Sequence, residues 1–311
     1  MANGLQIVGV GLATLDVLLR LKDMPTWEHG ARLSGFRFDG GGLVGTAMVA
    51  AARLGARVGF VGTAGTDEAA DLKLRSMVDC GVDLSHLVRR EGPEDQVVVV
   101  HVHAETGERA FMGMESWRKQ QLRPEELDRS YITSAEYLHL DGFHHRAAMQ
   151  AARWMKEAGK TVVLDGSQTS GPVHEPLRKL VPYIDVLITG SGFAKGLTGI
   201  SDIWEAGEAI LKMGPRVFVE TVGEDGSYTV TAQERFHTPA FKVKVVDTTG
   251  AGDVFHGAYI VGLLHGWNAR SVALFSTAVS AIKCTQLGGR AGIPGYDQVI
   301  AFLAERGTKL E

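Results

Sequence analysis

The feature that most constrains the fold of this chain is an alternation: short apolar, β-branched runs recur along it, with stretches of helical spacing between them. Leu5-Gln6-Ile7-Val8-Gly9-Val10-Gly11 is the first run, and its closing glycine marks a buried strand that ends in a sharp turn. Further strands are predicted at Arg57–Val61, Tyr137–Leu140, Thr161–Leu164, Val186–Ile188 and Val217–Glu220. Alanine-rich Thr46–Leu54, then Ala147–Glu157 and Ile203–Lys212, carry helical patterns, and the chain from Val254 onward is helical and rich in small residues. Strands that alternate with helices pair in parallel through right-handed crossovers. The expected fold is therefore α/β, with helices on both faces of a mostly parallel central sheet, in a single domain over residues 1–311 with no internal linker.

Two segments break the rhythm, at approximately residues 14–39 and 95–114. Leu15–Phe38 lacks helical periodicity, and Gln96–Met112 reads as two strands around Glu105-Thr106-Gly107-Glu108. Paired with each other, these excursions would form a small β lid over the carboxyl ends of the parallel strands, where such sheets bind ligands.

Composition removes several function classes. With 45% hydrophobic and 22% charged residues the chain is neither disordered nor fibrous, and a net charge of −4 offers no polycationic surface for nucleic acid or anionic lipid. Cys80 and Cys284 stand far apart, without disulfide-framework or zinc-knuckle spacing, as expected of a reducing cytoplasm. No uncharged apolar run reaches the roughly 18 residues of a membrane span, and the N-terminus lacks the basic and apolar regions of a secretion signal.

Chemistry concentrates in Asp247-Thr248-Thr249-Gly250-Ala251-Gly252-Asp253, a loop that opens the apolar helix from Val254. The glycines let backbone approach a ligand, and the free N–H groups of a first helical turn attract anions. Asp253 would repel a phosphate that was merely bound, but it suits a base taking the proton of a hydroxyl that attacks phosphorus. The plainer account of the same letters is Thr249 as N-cap and Asp253 as a favourable first-turn acid.

Taken together, these motifs resemble the ribokinase-like, PfkB family of carbohydrate kinases over nearly the whole chain. The D-T-x-G-A-G-D signature is matched by Asp247–Asp253, and the N-terminal glycine motif by Gly40-Gly41-Gly42 with Arg53-Leu54-Gly55 after the helix. Asp16, five residues past Gly11, matches the first-strand G-x-x-x-x-D pattern. Within the family the look is nearest to the sulfofructose kinase type, through Phe241–Asp247, Phe255-His256-Gly257 and Gly288–Pro294. The resemblance implies a three-layer α/β/α ribokinase-like fold and ATP-dependent phosphorylation of a sugar hydroxyl, with Mg²⁺ and, in many members, a monovalent cation such as K⁺ held by backbone carbonyls near Asp247 and Gly288. It implies Asp253 as base; Gly250, Ala251 and Gly252 as anion hole; Asp16, Gly41 and Gly42 at the sugar; and Thr221, Gly223, Gly226, Thr248, Cys284 and Gly288 at the nucleotide. It also implies a lid that often pairs two copies into a homodimer.

There are departures. Gly45 stands where many members have a sugar-binding asparagine, and the N-x-x-E motif is replaced by Gly190-Ser191-Gly192-Phe193, leaving Glu220 and Asp247 as candidate carboxylates near magnesium and phosphate.

On the substrate side, His139-Leu140-Asp141-Gly142-Phe143-His144-His145 ends a predicted strand, and Asp141 and His144 are candidates for substrate hydrogen bonding. Zinc and iron hydrolases use His/Asp sets, but no further ligand motif accompanies this one, and helix capping is the plainer account. His101 and His103 alternate on the predicted lid strand, with His103 the candidate substrate contact. Arg32, Arg37 or Arg109, if they faced the pocket, would favour an anionic sugar acid or sugar phosphate. Arg290 reads equally as a nucleotide contact or as the partner of a surface acid, and His256 as helix packing or a neighbour that tunes Asp253.

Two alternatives stand beside the sugar kinase. A nucleoside kinase of the same fold would need aromatic stacking, for which Trp27, Phe36 and Phe38 are available; a non-catalytic sugar- or nucleotide-binding regulator would predict a damaged Asp253 loop, which is intact. A dinucleotide-binding oxidoreductase fails at Thr14, where its third glycine would fall.

Overall fold

The computed structural model describes residues 4–116 and 120–311; Met1 to Asn3 and residues 117–119, within the span expected to form the domain, lie outside the described residues. The strands are β1 (Ile7–Val10), β2 (Thr14–Leu21), β3 (Leu33–Gly41), β4 (Val58–Val61), β5 (Thr63–Ala64), β6 (Val88–Arg89), β7 (Val97–His103) and β8 (Arg109–Gly113). They continue with β9 (Tyr137–Leu140), β10 (Thr161–Asp165), β11 (Val186–Gly190), β12 (Val217–Thr221), β13 (Ser227–Thr231) and β14 (Arg235–Thr238). The helices are α1 (Leu43–Arg53), α2 (Glu68–Asp79), α3 (Arg129–Ser134), α4 (His145–Glu157), α5 (Glu175–Leu180), α6 (Phe193–Thr198), α7 (Ile203–Leu211), α8 (Ala251–Leu264), α9 (Ala269–Lys283) and α10 (Tyr296–Ala304).

The middle layer is a sheet of eight strands in the order β14-β13-β12-β11-β10-β9-β1-β4. It is parallel from β4 to β12 and antiparallel at the β13–β14 edge. The layered α/β architecture is the expected one, and each predicted core strand is present, with β10 running one residue further, to Asp165. Alternate residues of each strand feed opposite cores. Ile7, Val163 and Val219 pack on α1, α8 and α9, while Val8, Leu138 and Leu164 pack on α4, α6 and α7.

The two excursions pair as expected, in a second sheet ordered β3-β2-β7-β8. Its centre is parallel, Leu15 opposite Val97 through Leu21 opposite His103, and β3 and β8 flank it antiparallel. Register fixes which side chains share a face. Asp16, Leu18 and Arg20 stand beside Val98, Val100 and Val102, with Asp39 and Arg37 on β3 and Phe111 and Arg109 on β8 in the same rows. Leu18, Val98, Val100 and Val102 form a small core that packs on Leu287, from the loop after α9, so the inner face of the lid rests on that loop. Phe36, Phe38 and Met112 are exposed on the other face. A two-stranded sheet, β5 with β6, is an element the sequence did not announce.

Candidate active site

Helix α8 starts at Gly250, whose φ of 74° lies in the left-handed region that glycine adopts without strain. The N-cap is thus Gly250 rather than Thr249, whose hydroxyl and amide instead donate to Asp247 Oδ1 at 2.7 and 2.8 Å. Asp247 Oδ2 accepts from the Gly288 amide at 2.9 Å, joining the helix entrance to the loop after α9. Burial would raise the Asp247 carboxyl, but Lys283 and these donors hold it below its ordinary value. The amide of Ala251 is engaged by the Thr248 carbonyl at 3.2 Å, which removes it from the expected anion hole. Among the described residues no backbone acceptor takes the amides of Gly250, Gly252 or Asp253, so these three are the N–H groups open to an anion.

Asp253, in the first turn of α8, is the one carboxylate here that accepts no hydrogen bond from any described residue. Its neighbours are capped. Asp16 Oδ1 accepts from the Thr14 hydroxyl at 2.6 Å, Asp141 accepts the amides of Leu12 and Phe143, each at 2.8 Å, and Asp165 Oδ1 accepts the Ser167 amide at 2.7 Å. Burial, with the charges of Asp165 and Asp16, pushes the Asp253 carboxyl well above the usual carboxylate range, Arg290 and Lys283 opposing. Burial likewise raises Asp165 and pushes Asp16 up to about 6. Behind Asp165, His256 Nε2 lies 3.4 Å from Oδ2, and the His256 ring packs against that of His139 with centroids 5.3 Å apart. Burial holds His256 down at about 3, so its ring is neutral.

The glycine positions of the sugar side converge on the same spot. A side chain at Gly41 would meet the Asp16 carboxylate, and Gly289 lies beside both Asp16 and Gly250. Gly42, with φ of 82°, starts α1 against the backbone of Leu12 and Ala13. At Gly45 the place of the family's asparagine is taken: a Cβ there would run into Nη2 of Arg290. Arg290 is buried, and neither expectation for it holds. Its guanidinium donates to the carbonyl of Gly41, to Thr46 Oγ1 at 3.3 Å and to Ser76 Oγ at 3.0 Å, while its amide donates to Asp39 Oδ2 at 3.0 Å.

Other expected residues have different duties. His103 stands on the opposite lid face from Asp16, because strand side chains alternate with period two, and its Nδ1 accepts the amides of Glu105 and Thr106 in the hairpin turn. It is not a substrate contact in this arrangement. Asp141 ties β9 to the end of β1, and His144 Nδ1 accepts the Leu122 amide at 3.1 Å while burial pushes its ring down to about 3. Thr221, Gly223 and Gly226 form the turn from β12 into β13, at the carboxyl end of the parallel strands; Thr221 Oγ1 donates to the Thr189 carbonyl at 3.1 Å. The Cys284 carbonyl accepts the amides of Val246 and Asp247.

Glu220 and Asp247 do not fit as direct magnesium ligands. Glu220 Oε1 and Oε2 accept the amides of Gly192 and Ala194 at 3.1 and 3.0 Å, in the loop where N-x-x-E is missing, and both Asp247 oxygens are likewise bonded. Two buried groups escaped the sequence reading: Asp165, which its place at a strand's carboxyl end could have flagged, and Lys283, which looks like any helix-terminal lysine.

The family model for pfkB family carbohydrate kinases matches residues 6–295. An ATP-dependent ribose-1-phosphate kinase of Halopiger xanaduensis is 28% identical over 301 residues, covering 97% of this chain and 99% of the relative. The Arabidopsis thaliana ribokinase solved with ribose and ATP shares the fold at a TM-score of 0.82 and 22% identity, covering 96% of this chain and 98% of that one. An Escherichia coli structure in complex with ATP and Mg²⁺ does so at 0.84 and 20%, covering 97% and 99%.

Proposed function

The chain belongs to the pfkB family of carbohydrate kinases, and from that premise we propose that it transfers the γ-phosphoryl group of ATP to a hydroxyl of an anionic sugar derivative, with Asp253 as base. The observation that best supports this is the uncapped carboxylate of Asp253 beside the free amides of Gly250, Gly252 and Asp253. A carboxylate with no N–H donor keeps its basicity, and the amides face the charge that develops on the transferring group. In-line transfer asks little covalent chemistry of the protein, so positioning and charge carry the rate. Asp253 takes the proton of the attacking hydroxyl, and Asp16 accepts from a neighbouring one. Mg²⁺, when bound with the nucleotide, would supply charge that offsets the phosphates.

The anionic class rests on register. Arg37 and Arg109 occupy the lid face that carries Asp16, where a guanidinium can fork a carboxylate or phosphate. The nucleoside reading loses support, since Phe36 and Phe38 lie on the opposite face. Those two residues and Met112, exposed there, support pairing of two lids into a homodimer.

The test is ADP release from Mg-ATP across ketoses, aldoses, sugar acids, sugar phosphates, sulfosugars and nucleosides, with Asp253→Asn in parallel. An anionic sugar that gives turnover in the wild type and not in the variant is expected. A nucleoside as the only acceptor, or equal turnover in both proteins, would contradict the reading.

A further inference from the structure

The monovalent cation that the fold family implies would need dehydrated carbonyl oxygens near Asp247 and the Gly288 loop, because such oxygens replace its water shell. Here a protein cation already sits on the first of those oxygens, and two carbonyls beside it also carry hydrogen bonds. The Asp247 carbonyl accepts from Nζ of Lys283 at 3.0 Å. The Cys284 carbonyl accepts the amides of Val246 and Asp247 at 2.8 and 3.2 Å, and the Lys283 carbonyl accepts the Gln286 amide at 3.3 Å. Lys283 itself is 0% exposed at the end of α9. A lysine is rarely buried so fully without a reason, since an ammonium taken out of water must be compensated.

We propose that Lys283 is the built-in monovalent cation of this enzyme. Its ammonium, a compact point charge, holds the Asp247 carbonyl and supplies behind the anion hole the positive charge that a bound K⁺ would bring, so the enzyme works without K⁺. Burial pulls Lys283 below its ordinary value; the neighbouring carboxylates of Asp247 and Asp253 oppose that pull and Arg109 adds to it. The inference rests on the kinase reading of the same loop, and its test separates the two.

The probe is the Mg²⁺ complex of the non-hydrolysable analogue AMP-PNP, titrated in KCl and in choline chloride at equal ionic strength, with melting curves in the same salts. For the wild type the dissociation constant is expected to agree within about twofold between salts, and the melting midpoint to be equal. Lys283→Met, which keeps the volume and removes the charge, is expected to bind at least about tenfold more weakly in choline, with KCl or NH₄Cl restoring most of the loss. A wild type that binds severalfold more tightly in KCl overturns the proposal without any variant, as does a Lys283→Met protein that binds normally in choline. If the wild type binds no AMP-PNP in either salt, the kinase reading fails. The melting curves then decide the cation alone: KCl should stabilise Lys283→Met and leave the wild type unmoved, and any other pattern refutes it.

Discussion

Asp253, the proposed base, is a buried acid held well above the usual carboxylate range. Its carboxyl is raised by burial and by Asp165 and Asp16, so the folded state holds its proton more tightly than the unfolded chain does. A group with a raised folded pKa favours folding below its unfolded value, near pH 4, and loses that contribution as pH climbs through the folded value. Asp253→Asn should therefore melt a few degrees higher than wild type at pH 8 and at about the same temperature at pH 4.5. Turnover should fall by a factor of about 10²–10⁴ while AMP-PNP still binds. Equal melting at pH 8 would show that the acid cluster is not under strain. In the wild type, activity should rise with pH as Asp253 ionises, and Asp165→Asn should shift that limb to lower pH by removing a neighbouring charge. Asp253 was legible in the sequence through the resemblance of Asp247–Asp253 to the family signature, since on spacing alone a favourable first-turn acid explains the same letters. Lys283 was not, because burial and curvature of the chain decide whether a helix-terminal lysine meets water or a carbonyl.

Between elements, the lid is aimed by two devices. The first is strand register, which puts Asp16, Arg37 and Arg109 on one face and His103 on the other. The sequence showed that two lid segments would pair but not in which register, and a one-residue slip exchanges the faces. Arg37→Ala should raise the KM for an anionic acceptor about tenfold with the ATP KM nearly unchanged, as expected for a lost charge-assisted bond; an unchanged acceptor KM would remove Arg37 from the pocket. The second device is Arg290, which joins the end of β3 to α1, α2 and the loop after α9. Gly45→Ala would drive a methyl into that guanidinium and should cost about 1–3 kcal/mol in urea unfolding. The same change in an Arg290→Ala background should cost much less, and equal costs would mean that the two positions are uncoupled.

Across the molecule, the parallel sheet was readable because its strands are apolar on both faces and its helices are spaced between them, and the Thr221–Gly226 turn falls at the carboxyl end of β12. What was not readable is the convergence of chain segments far apart in sequence. Asp16 on β2, Asp165 at the end of β10, Asp253 on α8 and Arg290 in the loop after α9 come from four separate places in the sequence and meet only in the folded chain. The same topology leaves Phe36, Phe38 and Met112 on an outward face, so sedimentation velocity should give a dimer, with Phe36→Asp shifting it toward monomer. The most direct test of the account is ³¹P NMR of Mg-ATP with an anionic sugar acceptor, followed with wild type and Asp253→Asn. The account predicts a new phosphomonoester signal that grows in step with ADP in the wild type and is absent with the variant. ADP appearing with inorganic phosphate alone, or the same ester forming with Asp253→Asn, would contradict it.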